Sequence, residues 1–223
     1  MPAAERDRCR PLTQDCFVAR QPILDGSRQL YGYELLFRSG NIGHATHSDG
    51  DEASLHVIGN ALSVFGLDTL TAGKMAFVNF TRDLLLGDHA RLLPPGRTVV
   101  EVLETVEPQP DVLEACRGLK RAGYLIALDD YVGDPAGEPF VGLADVVKVD
   151  FRASTPDQRR ALAGRLIPRG IKLLAEKVET WEEQREAAAL GYRYFQGYFF
   201  CRPETLCRRA LAPSRVGYLR LLE

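Results

Sequence analysis

The chain has 223 residues, 45% apolar and 26% charged, which is enough to bury a sizeable core and excludes disorder as a whole-chain state. With 28 Lys and Arg against 30 Asp and Glu, the formal net charge is -2, so there is no global basic field to hold DNA or an anionic membrane. The length leaves room for one large domain or two small ones.

Residues 1–15 are polar, with no apolar segment of the kind that opens a secretory leader, and they read as an N-terminal tail. No 18 apolar residues run together, so no membrane-spanning helix is expected. The five cysteines, Cys9, Cys16, Cys116, Cys201 and Cys207, form an odd set without a C-x-x-C pair, the pattern of a reduced, cytoplasmic protein.

The first two apolar runs, CFVARQPIL and QLYGYELLFR, are separated only by Asp25-Gly26-Ser27-Arg28, a turn too short for a crossover helix, and predict an antiparallel hairpin. The stretch NIGHATHSDGDEASLH gathers His44, His47, Asp49, Asp51, Glu52 and His56, but in neither zinc-protease nor EF-hand spacing. It reads as a polar loop leading into a helix from Asp51 to Phe65. From residue 75 onward the grammar changes to β-branched runs alternating with helices: MAFVNF, TVVEVLE, YLIALDD, ADVVKVD, IKLLAE and YRYFQG. Between them, a helix is predicted from Asp111 to a closing Gly123, another from Thr155-Pro156, and a third from a Thr180/Glu183 capping box to Gly191.

Strands alternating with helices predict a mainly parallel sheet, and continuous apolar runs predict burial on both faces. A doubly wound sheet and a barrel both satisfy this. No glycine-rich phosphate loop follows any strand, which favours a TIM-like (β/α)8 barrel whose first strand runs antiparallel, spanning residues 16–212. Residues 213–223 read as the opening of a further helix.

Asn79, Glu101, Asp129 with Asp130, Lys148, Glu176 and Gln196 each fall in or at the carboxyl end of a different run, and Glu34 lies in the second. In a barrel those ends share the face on which active sites are built, and sites next to a core ordinarily hold apolar residues. Carboxylates and an amide carbonyl without His or Cys are the ligand set of hard cations such as Mg²⁺ or Mn²⁺. The Asp129-Asp130 pair adds a reason to expect two ions, the arrangement that serves phosphodiester hydrolysis.

YELLFR (33–38), VNF (78–80), EVLE (101–104), ALDD (127–130), VKVD (147–150), AEKVET (175–180) and FQGYFF (195–200) together resemble the ordered signature of EAL-domain proteins, the cyclic-di-GMP phosphodiesterase family. The wording of ARQPILD, YGYELLFR, LLAEKVET and FQGYFF is most similar to the branch in which an EAL domain precedes a helical HDOD domain. The resemblance implies cyclic di-GMP as ligand, an EAL-fold barrel, and a first ion held by Glu34, Asn79, Glu101 and Asp129. A second ion would be held or served by Asp129, Asp130 and Glu176, with Glu176 alternatively the general base. It also implies that Lys148 and Gln196 contact the attacking water or the phosphate, that Gln21 and Arg38 touch ligand, and that Glu104 steadies the loop after the paired aspartates.

That loop departs from the family pattern. The short glycine-serine segment is replaced by Tyr131-Val132-Gly133-Asp134-Pro135-Ala136-Gly137-Glu138-Pro139-Phe140. In the family it supports the second ion and homodimer contacts, so the expectation is a cyclic-di-GMP-binding domain with weak or no turnover. The alternative is an active metal-dependent phosphodiesterase that releases linear di-GMP.

Overall fold

The structure is a computed structural model and describes residues 13–37, 58–59, 62–87 and 89–211. Among the described residues, nine strands form one sheet in the order β2-β3-β4-β5-β6-β7-β8-β1-β9, and a further β1–β2 pairing closes the first eight into a barrel. The strands are β1 (Thr13–Asp25), β2 (Leu30–Phe37), β3 (Met75–Phe80), β4 (Thr98–Val102), β5 (Leu125–Leu128), β6 (Val146–Asp150), β7 (Lys172–Glu176), β8 (Tyr194–Phe195) and β9 (Glu204–Leu211). Strands β2 to β8 pair in parallel. β1 runs antiparallel to β2, as the short turn requires, with Gln21 opposite Glu34. Asp25 Oδ1 caps that turn by accepting from the N–H groups of Ser27 and Gln29 at 2.8 and 2.9 Å.

The helices are α1 (Leu67–Thr71), α2 (Arg82–Leu86), α3 (Pro110–Arg121), α4 (Glu138–Val141), α5 (Pro156–Leu166) and α6 (Trp181–Ala189). α5 and α6 open with the capping boxes Thr155/Gln158 and Thr180/Glu183, each hydroxyl accepting from the N3 amide while the N3 side chain returns to the cap. Proline at the start of α3 and α5 occupies a position whose N–H would have had no helical partner. Residues 58–59 and 62–65 of the expected 51–65 helix are helical; its remaining residues, the His44–His56 cluster, Arg38, the tail through residue 12 and the segment from 212 lie outside the described residues.

Two differences from the expected fold concern β1 and its edge. β1 begins at Thr13, within the stretch read as tail, and an additional strand, β9, pairs with its first half from Thr13 opposite Leu211 to Arg20 opposite Glu204. β8 contacts β1 only at Leu24–Phe195 and Asp25–Tyr194. The edge of β1 is therefore shared: β8 closes the barrel floor, β9 takes over toward the mouth, and Gly197, Tyr198 and Pro203 between them line the cleft there.

The period-2 alternation of each strand divides its residues between two cores. Outward residues such as Val78, Val100, Ile126, Val147, Leu173 and Phe195 pack under the helices in the larger core. Inward residues Ile23, Phe77, Val99, Ala127, Val146, Leu174 and Tyr194 form a second cluster that plugs the barrel floor. At Gly32 a Cβ would lie 2.7 Å from the Met75 carbonyl oxygen, so only glycine permits this approach of β2 to β3.

Candidate functional site

Two residues beyond each floor residue, on the same inward face, stands a polar one. Phe77 is followed by Asn79, Val99 by Glu101, Ala127 by Asp129, Val146 by Lys148, Leu174 by Glu176 and Tyr194 by Gln196, while antiparallel β1 places Gln21 on the mouth side of Ile23. β2 contributes Glu34, in register with Gln21 and Phe77. The convergence of Gln21, Glu34, Asn79, Glu101, Asp129, Lys148, Glu176 and Gln196 on one mouth is thus a consequence of strand periodicity.

Lys148 is the hub. Its Nζ lies 2.8 Å from Asp129 Oδ1, 3.0 Å from Glu176 Oε1, 3.1 Å from Glu101 Oε1 and 3.6 Å from Glu34 Oε1, and its side chain is 1% exposed. Gln196 Nε2 donates to Glu34 Oε2 at 2.6 Å and to Gln21 Oε1 at 3.0 Å, bridging the gap that the short β8 leaves beside β1. Asn79 Nδ2 reaches Glu34 Oε1 at 3.5 Å. The mouth opens into a cleft of about 380 Å³ whose walls include Gln21, Asp129, Asp130, Arg152, Gln196 and Tyr198.

One ammonium against four contacting carboxylates leaves the site rich in buried negative charge, and the titration directions follow. Burial pushes the Glu101 carboxyl well above its usual range, outweighing the pull of Lys148. Burial likewise raises Glu176, to about 8, against the opposing pull of Lys148. Burial alone would lower the Lys148 ammonium, but Glu101, Glu176, Glu34 and Asp129 together hold its pKa well above the usual lysine range. Asp130 is raised by burial and by its neighbour Asp129.

The oxygen atoms fit a hard cation. Asn79 Oδ1, Asp130 Oδ1 and Gln196 Oε1 are buried without a hydrogen-bond partner, and both Glu101 oxygens are buried with only the Lys148 ion pair. Buried acceptors are ordinarily satisfied, so a layer of unpartnered acceptors, with Asp130 and Gln196 lining the cleft, is a place for a cation. Ligand atoms of Asp129, Asp130 and Glu176 also lie within 4.8 Å of one another.

The replaced loop is anchored by a network that the sequence did not disclose. The Tyr131 hydroxyl accepts from Arg165 Nη2 at 2.9 Å and donates to Glu138 Oε2 at 3.2 Å, and Arg169 Nη1 holds Glu138 Oε1 at 2.8 Å. Closer to the site, the Asp129 N–H donates to the Val102 carbonyl at 3.0 Å and the Tyr131 N–H to the Lys148 carbonyl at 3.1 Å, so the backbone is tied on both sides of Asp130. Glu104 stands exposed in the turn after β4 and, among the described residues, makes no hydrogen bond or ion pair with residues 131–140. Of the FQGYFF aromatics, Phe195 is buried, Phe199 and Phe200 pack edge to face, and Tyr198, 59% exposed, reaches the cleft.

An eight-stranded α/β barrel with a carboxylate, amide and ammonium layer at its mouth defines the class. The EAL domain family pattern matches residues 67–203, and the chain belongs to that family. It is 38% identical over 208 residues to the cyclic di-GMP phosphodiesterase CdgJ of Vibrio cholerae, covering 92% of this chain and 48% of that protein. To the uncharacterized Bacillus subtilis protein YuxH it is 36% identical over 211 residues, covering 92% of this chain and 52% of that one. The chain therefore spans about half the length of these curated relatives.

Among solved structures, the manganese and cyclic-di-GMP complex of Klebsiella pneumoniae BlrP1 superposes with a TM-score of 0.70 at 21% identity over 90% of this chain and 63% of that one. Bacillus subtilis YkuI, solved with cyclic di-GMP and calcium, gives 0.68 at 22% identity over 93% and 60%. These likenesses carry the barrel fold. Among the described residues, no helix is long and apolar enough to cross a membrane.

Proposed function

We propose that this chain is a metal-dependent phosphodiesterase domain that opens cyclic di-GMP to the linear dinucleotide. The observation that carries the proposal is the joint placement of Asp129, Asp130 and Glu176 beside Lys148, with buried oxygens lacking partners. Glu34, Asn79, Glu101 and Asp129 would hold one Mg²⁺ or Mn²⁺, and Asp129, Asp130 and Glu176 would hold or serve a second. Bound there, such ions supply a nucleophilic oxygen at neutral pH and neutralise charge on the phosphoryl group.

The chain's own residues have distinct parts in the reaction. As water adds to phosphorus and the ester P–O bond breaks, Glu176, once its own proton has been released to solvent, accepts the water's proton as the carboxylate, and the departing oxygen takes up a proton from solvent. Lys148, held charged by its carboxylate neighbours, balances negative charge gathering on the phosphoryl oxygens. Gln196 and Gln21 present amide groups at the cleft wall and orient the ligand. Arg38, the residue that follows the end of β2 at Phe37, is carried in this proposal as a bidentate phosphate contact.

The relatedness to CdgJ and the ligands named in the solved relatives support the substrate. The HDOD partner domain, homodimerisation and a cytoplasmic setting belong to the same proposal and rest on the motif wording and cysteine pattern. A second reading, binding with little turnover, is favoured by one observation, the replacement of the glycine-serine loop by residues 131–140.

Incubating the purified chain with cyclic di-GMP and Mn²⁺, then resolving products by chromatography, separates the two. Linear product that disappears with a chelator supports the hydrolase. If ligand binds but no product forms, while a graft of a short glycine-serine segment over residues 131–140 restores product, the binding reading stands.

A further inference from the structure

Four non-glycine residues among the described ones have positive φ, and two of them, Asp130 at 42° and Lys177 at 53°, both line the cleft, with their side-chain charges 3.7 Å apart. Strain of this kind persists only where surrounding structure fixes it. Lys177 is fixed on both sides. Glu176 before it is buried, and Val178 after it is fully buried, donating its N–H to the Gln196 carbonyl at 3.1 Å and accepting from Phe199 N at 3.1 Å. Gly197 packs so closely on Val178 that a Cβ there would sit 2.1 Å from the Val178 carbonyl oxygen.

The trapped backbone sends the Lys177 side chain back over the cleft. Its ammonium pairs with Asp150 and lies 3.7 Å from Asp130 Oδ2, while Asp130 Oδ1 remains buried and without a partner. Asp130 is thus half-served, by a lysine that also lines the cleft.

We propose that Lys177 is an internal counter-cation that competes with a divalent ion for Asp130, so that its charge sets how tightly the Asp129, Asp130 and Glu176 group holds that ion. The inference rests on the metal-dependent reading above. A unit charge a few ångströms from a dication, at a site open to water, changes affinity on the order of tenfold. An ion entering the group must displace Lys177 from Asp130, and Asp150 is positioned to keep the displaced ammonium.

The test is Mn²⁺ titration of the ligand-free chain by calorimetry, comparing wild type, Lys177→Met and Lys177→Arg. Methionine keeps the stem and the backbone conformation cost while removing the charge, and the side chain is half-exposed, so folding is not at stake. Lys177→Met is expected to bind Mn²⁺ about tenfold more tightly and Lys177→Arg about as wild type, with the methionine gain lost when Asp130→Asn is added. Equal Mn²⁺ affinity in wild type and Lys177→Met overturns the counter-cation, as does unchanged Mn²⁺ affinity accompanied by weakened cyclic-di-GMP binding without metal, which would make Lys177 a phosphate contact. Absence of Mn²⁺ binding in all variants removes the metal-dependent reading itself, and the inference with it.

Discussion

The floor and the mouth of the barrel are built by the same strands two residues apart, yet they are opposite in chemistry. The floor is Ile23, Phe77, Val99, Ala127, Val146, Leu174 and Tyr194, apolar and closed by Tyr31 stacked on Tyr194 at 4.1 Å between ring centroids. The mouth is Gln21, Glu34, Asn79, Glu101, Asp129, Lys148, Glu176 and Gln196, with Glu101 fully buried. The floor gains free energy from burial and close packing. The mouth costs it, because several carboxylates are taken out of water with one ammonium among them. A stable barrel tolerates such a layer because the apolar one lies immediately beneath it. Sites of this kind are where stability and function are expected to oppose each other.

The largest expected effects break each layer separately. Phe77→Ala should cost about 3–5 kcal/mol in urea unfolding through lost transfer free energy and a cavity. Lys148→Met should cost a similar amount, about 3–5 kcal/mol, because it leaves buried carboxylates without their cation. Metal distinguishes the two: saturating Mn²⁺ should narrow the gap between Lys148→Met and wild type and leave the Phe77→Ala gap unchanged. Equal responses would mean that the mouth does not act as a cation site.

A smaller effect is a pH dependence confined to the mouth. In the ion-free chain Glu176 is raised from its ordinary 4.5 to about 8, so the folded state holds a proton that the unfolded chain has released. The contribution of Glu176 to the stability of the ion-free protein should therefore be lost as pH rises from about 4.5 to about 8. Metal binding must expel that proton, so Mn²⁺ affinity should climb by up to about tenfold per pH unit below about 8, then flatten. Calorimetric titration between pH 6 and 9 reads this slope, and a flat profile would remove Glu176 from the ion's surroundings.

The smallest effect concerns the anchored loop. Tyr131→Phe removes a hydroxyl bonded to Arg165 and Glu138 and should cost about 1 kcal/mol, read by thermal melting. If that network holds Asp130 in place, turnover should fall further than stability does. Loss of stability with turnover intact would leave the backbone bonds at Asp129 and Tyr131 as the sufficient support.

The contrast between the layers also explains what the sequence made legible. Strands buried on both faces appear as continuous apolar runs, so β3 to β7 and the opening hairpin could be placed from residues alone. Polar residues ending those runs stood out against that background, which is why Asn79, Glu101, Asp129, Lys148 and Glu176 were found. β9 was missed because residues 204–208 are mostly exposed and the strand pairs with the projecting half of β1, so it carries neither an apolar run nor a clean alternation. The Tyr131 network was missed because it joins residues separated by 34 positions in the chain, and nothing local announces such a contact. Lys177 was missed for another reason: a left-handed lysine has no sequence signal, since its conformation is imposed by Val178 and Gly197.

The central claim, that the polar layer of this barrel is an assembled divalent-cation site, is tested most directly by thermal melting with and without Mn²⁺ for wild type and Asp129→Asn. Asp129 contacts the Lys148 hub and belongs to the group shared with Asp130 and Glu176, and the proposed function assigns it to both ions. At about a hundredfold excess of free ion over its dissociation constant, mass action stabilises wild type by about 2.7 kcal/mol. The predicted result is a clear rise in the wild-type melting temperature that largely vanishes in Asp129→Asn. An equal rise in both proteins would contradict it.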